Sequence, residues 1–132
     1  MQLMIRQEAL KSIIQVAEKN DLEVCGFLFG RREEETFKVE EVRFITNRLN
    51  SPTEFEMDPL EMVEAIDEAE EKGLEVVGIF HSHPKCPPRP SGKDLRGMEL
   101  WPVAWLIVDG KGNYGAYVLK DGRVEEVSVK AV

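Results

Sequence analysis

"LEVVGIFHSHPKCPPRPSGKD", residues 74 to 94, decides the fold, because an apolar run with β-branched residues passes directly into a loop too rich in proline to be helical. The run reads as a central strand. Pro84 removes a ladder donor and ends it, and "KCPPRP" makes a stiff excursion of six residues before a short helix that begins near Ser91. Side chains alternate along a strand, so His81 and His83 project from one face. Two imidazoles on one face form a ready-made pair of metal ligands.

Upstream, residues from about Arg6 to Lys19 carry Leu10, Ile13, Ile14 and Ala17 at helical spacing with charges between them, which predicts an amphipathic helix. "VCGFLFG", from Val24 to Gly30, reads as a strand. "RREEET" turns it into "FKVEEVRFIT", where Phe37 and Val39 alternate with Lys38 and Glu40. A hairpin is expected. "NRLNSPTEFEMD" is the longest loop, and it ends at a helix start with Asp58 as N-cap, Pro59 at the first position and Glu61 three residues after the cap. That second helix runs to Lys72 and stops at Gly73. Its expected buried stripe is Leu60, Val63, Ile66 and Ala69. Downstream of residue 94, "VAWLIV", "YGAYVL" and "VEEVSV" are separated by the turn-forming clusters "DGKGN" and "KDGR" and form a three-stranded meander. The element order gives an α/β protein, a mixed sheet packed between helices.

With 132 residues, 42% of them hydrophobic, the chain is sized for a single domain spanning 1–132. A net charge of -8 argues against general affinity for nucleic acid phosphates or anionic membranes, both of which need basic patches. No apolar run approaches the roughly 20 residues needed to cross a bilayer, and "MQLMIRQEALKS" lacks the apolar core of a signal peptide. A cytoplasmic location is expected. Glu and Lys/Arg are plentiful while Asn and Gln are few, a balance found in proteins from very hot environments. This bears on Cys25 and Cys86, since cytosolic disulfides are rare outside hyperthermophiles; the simplest expectation is two free thiols.

Two readings of "SGKD" compete. Ser-x-x-Asp at a helix start is the pattern of a capping box, with Ser91 as the cap and Asp94 reaching back. Alternatively Asp94 joins His81 and His83 to give three ligands around zinc, leaving the fourth position for water as in catalytic sites. A lone His-x-His on an apolar strand is more often a hydrogen-bonded structural pair; the stiff loop that returns Asp94 shifts the balance towards a metal. Peptide hydrolysis also needs a proton shuttle to the leaving nitrogen. Glu23 stands out because it precedes the apolar strand expected beside the histidine strand, against the plain alternative of an exposed charge at a strand start.

His81-Ser82-His83-Pro84, six residues, Ser91, two residues and Asp94 together resemble the signature of the JAMM, or MPN-plus, metalloproteases. "EVCGFLFG" resembles the family's glutamate-bearing strand, and "SPTEFEMDP" is similar to the segment before the second helix in its small prokaryotic members. The resemblance implies a sheet between helices related to that of zinc nucleoside deaminases. It further implies one zinc per chain with a bound water, ligated by His81, His83 and Asp94. Glu23 would take the proton of that water and pass it to the leaving amine, and Ser91 would hydrogen-bond the oxyanion. The implied activity is that of a deubiquitinase-like isopeptidase or peptidase, cleaving after the C-terminal glycines of ubiquitin-like β-grasp modifiers or sulfur-carrier proteins. Such a tail suits binding as an added strand, and a homodimer is compatible with the reading.

If Glu23 approaches the metal, Cys25 and Cys86 approach each other, which opens a Cys25 to Cys86 disulfide; Cys86 as a fourth ligand is disfavoured because it would close the site to water. Deaminases use His-x-Glu and Pro-Cys-x-x-Cys; the single cysteine of "KCPPRP" argues against deamination, and the His-Glu-x-x-His motif of zincins is absent. The alternatives to a protease are a non-catalytic scaffold of the same fold, opposed by five filled site positions, and a DNA-repair-associated relative, opposed by the charge of -8.

Overall fold

The computed structural model describes residues 1–132. In chain order the elements are β1 (Gln2–Ile5), α1 (Gln7–Glu18), β2 (Cys25–Glu33), β3 (Thr36–Ile45), α2 (Pro59–Glu71), β4 (Glu75–His83), α3 (Gly92–Leu100), β5 (Ala104–Asp109), β6 (Tyr114–Lys120) and β7 (Arg123–Ala131). The α/β class and the mixed sheet agree with the sequence. β2 and β3 form the expected hairpin, and β5, β6 and β7 the expected meander. Asp121 and Gly122, with φ of 52° and 77°, make the two-residue turn between β6 and β7, the pairing of left-handed positions that suits the twist of a hairpin.

β1 was not expected, and it changes the shape of the sheet. Its four residues pair in parallel with β3 on one side and with β7 on the other, so the order β1-β3-β2-β4-β5-β6-β7 closes on itself. Leu3 and Ile5 point inward and are wholly buried. β4 lies between β2, antiparallel, and β5, parallel, and the parallel β4 to β5 connection is made by the proline loop and α3. Ligands of α/β sheets gather at the carboxyl ends of such strands, and His81 and His83 stand at that end of β4.

Alternation along the strands divides the core in two. Leu28 and Phe80 join Leu10, Ile13 and Ala17 of α1 in one cluster. Phe27, Phe29, Ile79 and Ile107 face the other way, towards Ala65 and Ala69 of α2 and Met98 of α3. His81 continues the Ile79 face and so emerges beside α3. The close approach of β2 to its neighbours depends on Gly26, where a β-carbon would collide with the Arg43 carbonyl oxygen and the Phe80 ring.

The expected buried stripe of α2 is half corrected by the structure. Leu60 and Val63 are 75% and 57% exposed, while Ile66 and Ala69 do face the core, joined by Met62 and Ala65. The N-terminus is as read: the Asp58 side chain accepts a hydrogen bond from the Glu61 amide at 3.0 Å. No helix is long and apolar enough to cross a membrane.

Candidate active site

The end of β4, the proline loop and the first turn of α3 bring three side chains together. His81 Nε2 lies 3.1 Å from Asp94 Oδ1, His83 Nε2 lies 3.1 Å from Asp94 Oδ2, and the two Nε2 atoms are 3.1 Å apart. All three residues are buried, and one ligand atom from each falls within 4.8 Å of the others. Cys86 is not among them.

Hydrogen bonding shows what this cluster is suited to hold. The Pro87 carbonyl, 2.8 Å from His83 Nδ1, can only accept, so Nδ1 carries a proton and Nε2, which faces the carboxylate and His81, is the ring atom left to ligate. Two imidazole nitrogens and a carboxylate converging on one point need a proton or a cation between them. The donor set therefore fits a metal ion. The proline loop contributes more than stiffness, because its Pro87 carbonyl fixes the tautomer and ring orientation of His83, the usual role of the outer partner of a metal-ligating histidine.

The electrostatics set the two imidazoles apart. Burial holds His81 below its ordinary pKa, favouring the neutral imidazole that can ligate. Burial alone would raise the Asp94 carboxyl, but hydrogen bonds from His81 and His83 and from the Ser91 backbone outweigh it and keep the group well below the usual carboxylate range. In His83 the lowering by burial is overcome by the Asp94 and Pro87 hydrogen bonds, so its value rises.

Ser91 and Asp94 also form the capping box. The Asp94 amide donates to Ser91 Oγ at 3.2 Å and the Ser91 amide to Asp94 Oδ2 at 2.9 Å. The capping reading of "SGKD" is realised and leaves the metal reading open, since a carboxylate has lone pairs enough for a backbone amide and a cation. Ser91 accepts through Oγ as a cap and keeps its hydroxyl proton to donate elsewhere.

Glu23 is buried, and with His83 and Ser91 it lines a cavity of about 560 Å³. Burial raises its carboxyl to about 7, with His83 opposing and Asp94 adding to the rise. A carboxyl with a value near neutrality is suited to both taking and returning a proton at the working pH. β2 begins at Cys25, so Glu23 lies just before the ladder. Val24 is tied to β4 instead, its amide donating to Ser82 Oγ at 2.9 Å and its carbonyl accepting from the Ser82 amide at 3.0 Å.

Both thiols are free, the simpler of the two expectations, and the possible Cys25 to Cys86 disulfide is not formed. Cys25 faces the core between β2 and α2 with Sγ 3.4 Å from the Ile45 carbonyl oxygen, and burial pushes its thiol up to about 12. Cys86 sits exposed on the cavity rim. Glu23 lies outside β2, so its approach to the cavity does not carry Cys25 with it.

Sequence reasoning passed over three groups that shape the site. The Phe55 ring lies over the His81 imidazole, centroids 4.7 Å apart. Lys93 Nζ pairs with Glu54 Oε1 at 2.8 Å, linking α3 to the loop that carries Phe55. Asn47 binds that loop to Glu23. Asn at a strand end before a polar loop is a turn signal, but its partner at Glu23 lies 24 residues away and leaves no trace in local sequence.

Comparison with known proteins agrees with this geometry. A desampylase of Pyrococcus furiosus is 56% identical over 128 residues, covering 96% of this chain and 89% of that protein. A Thermus thermophilus protein named "Probable TtuB-protein conjugate cleaving protease" is 36% identical over 102 residues, 76% of this chain and 64% of the relative. The solution structure of a protein from Desulfitobacterium hafniense superposes with a TM-score of 0.87 at 29% identity, over 98% of this chain and 92% of that one. Residues 6–120 match the family model for prokaryotic homologs of the JAB domain, and the chain accordingly belongs to the prokaryotic JAB-domain family.

Proposed function

We propose that the protein is a zinc-dependent isopeptidase or peptidase that cleaves after the C-terminal glycines of ubiquitin-like modifier or sulfur-carrier proteins. The observation that carries this is the convergence of His81, His83 and Asp94 beside a cavity that Glu23 and Ser91 also line. Relatives named for desampylation and for cleaving protein conjugates support the substrate class. Two imidazoles and one carboxylate suit zinc with an open position, whereas magnesium and calcium favour all-oxygen sites. Two free thiols are in keeping with a reducing cytoplasm.

His81, His83 and Asp94 would hold the ion, which when bound supplies a Lewis acid and water activated near neutral pH. The chain's own residues do the rest. Glu23 accepts the proton released as water attacks the scissile carbonyl, and it delivers that proton to the leaving nitrogen. The amine then departs neutral. Ser91 donates its hydroxyl proton in a hydrogen bond to the oxygen on which negative charge develops, an interaction stronger in the transition state than in the ground state. Pro87 and Phe55 keep the two imidazoles from turning.

The test is incubation of the zinc-loaded protein with a panel of ubiquitin-like fusions and isopeptide conjugates, with Glu23→Gln as control. Cleavage after the terminal glycine, abolished in Glu23→Gln and by chelation, is expected. Intact substrates with one zinc bound per chain would overturn the enzymatic reading in favour of a scaffold.

A further inference from the structure

Glu23 has no strand partner, yet both of its backbone polar groups are held. Its amide donates to the Ser51 carbonyl at 2.9 Å, and its carbonyl accepts from Asn47 Nδ2 at 3.1 Å. Asn47 Nδ2 also donates to the Glu54 carbonyl at 3.0 Å, while Oδ1 accepts from the Leu49 and Glu56 amides at 3.1 and 3.0 Å. Two carbonyls on one side and two amides on the other leave no freedom in assigning the side-chain nitrogen and oxygen. One half-buried amide thus uses all of its hydrogen-bonding capacity. Its oxygen folds the loop from residue 48 to 56, and its nitrogen fastens that loop to Glu23.

We infer that Asn47 is a positioning residue for the reaction, setting the backbone from which the Glu23 carboxylate reaches into the cavity. The same loop carries Phe55 against His81 and Glu54 against Lys93, so Asn47 joins the proton carrier to the wall of the cleft. Aspartate cannot replace it. A carboxylate keeps the acceptor that folds the loop but sets lone pairs against the Glu23 and Glu54 carbonyls.

The inference rests on the reading of Glu23 as the proton carrier, and its test separates the two. Wild type, Asn47→Asp and Asn47→Ser are compared, the serine keeping a turn-forming oxygen without the reach to Glu23. On the fusion that wild type cleaves, kcat and KM are measured together with bound zinc, melting temperature and amide hydrogen exchange. The expected result is a fall in kcat of about 10- to 100-fold, the scale of a small misplacement of a catalytic group. KM stays within about 2-fold on the same reasoning, zinc stoichiometry is unchanged, and exchange accelerates at Glu23. An unchanged kcat, a loss confined to KM, or a loss proportional to zinc or folded fraction would overturn it. If wild type cleaves nothing, the proposed function fails; the exchange experiment still decides whether Asn47 holds Glu23, and unaltered protection there would refute it.

Discussion

Replacing Glu23 by glutamine is expected to abolish activity and stabilise the metal-free protein. Burial lifts the Glu23 carboxyl from 4.5 to about 7, and at about 1.4 kcal/mol per tenfold change the difference amounts to about 3 kcal/mol. The sign follows from proton linkage. Below the unfolded value of 4.5 both states hold the proton and the site costs nothing. Between 4.5 and about 7 the unfolded chain ionises while the folded chain does not, so stability falls as pH rises; above 7 the full penalty remains. Glutamine resembles the protonated acid and escapes this penalty. At pH 8 the variant is expected to gain about 1 to 3 kcal/mol, the lower bound allowing for solvent in the cavity. At about 4 °C per kcal/mol, this is a rise in melting temperature of about 4 to 12 °C. The assay is denaturant or thermal unfolding of chelated protein across pH 4.5 to 8, with cleavage measured in parallel on zinc-loaded samples. The stability gap should close towards the acid end and narrow with zinc bound, because a cation favours the charged carboxylate. A variant no more stable than wild type at pH 8, or a gap independent of pH, would refute the account of Glu23 as a carboxylate charged against its surroundings.

Chelation should lower the melting temperature of wild type but leave His83→Ala unmoved, because a ligand bound only by the folded state contributes about 2.7 kcal/mol at a hundredfold excess over Kd. Differential scanning calorimetry with and without chelator reads this. A thiol reagent should label Cys86 alone in the native protein and reach Cys25 only on unfolding, given the burial of one and the exposure of the other; intact mass without reductant should show no disulfide. Leu60→Lys and Val63→Lys should each change stability by less than about 0.5 kcal/mol, whereas Ala65→Leu, placed in the packed face of α2, should cost about 1 to 3 kcal/mol by overpacking. Urea unfolding of the three variants separates the faces.

The grouping of His81, His83 and Asp94 was legible because its logic is local. Alternation puts His81 and His83 on one face without knowledge of the rest of the fold, and the proline loop limits where Asp94 can return. The α2 stripe misled for an equally local reason. Leu60, Val63, Ile66 and Ala69 are spaced by three, and at about 100° per residue each step drifts about 60° around the helix, so that Leu60 ends up opposite Ala69. Met62, Ala65, Ile66 and Ala69 mix spacings of three, one and three and remain on one face. β1 escaped notice because four residues with two apolar positions carry little signal, and its parallel partners lie near residues 37 and 129.

The capping box shows how far pattern reading goes in the site itself. Capping and chemistry looked like rivals for Ser91 and Asp94, and counting lone pairs and protons removes the rivalry. As a cap, Ser91 spends a lone pair on the Asp94 amide; in the proposed reaction it would spend its proton. Asp94 likewise gives one oxygen's lone pair to the Ser91 amide and still faces both histidines. The cap then serves the site directly, because it fixes the N-terminal turn of α3 and with it the direction in which Asp94 points. Removing the Ser91 hydroxyl would loosen the Asp94 backbone as well as withdraw a donor. A Ser91→Ala variant should therefore lose zinc affinity along with kcat, and unaltered zinc affinity would show that the box and the ligand cluster are independent.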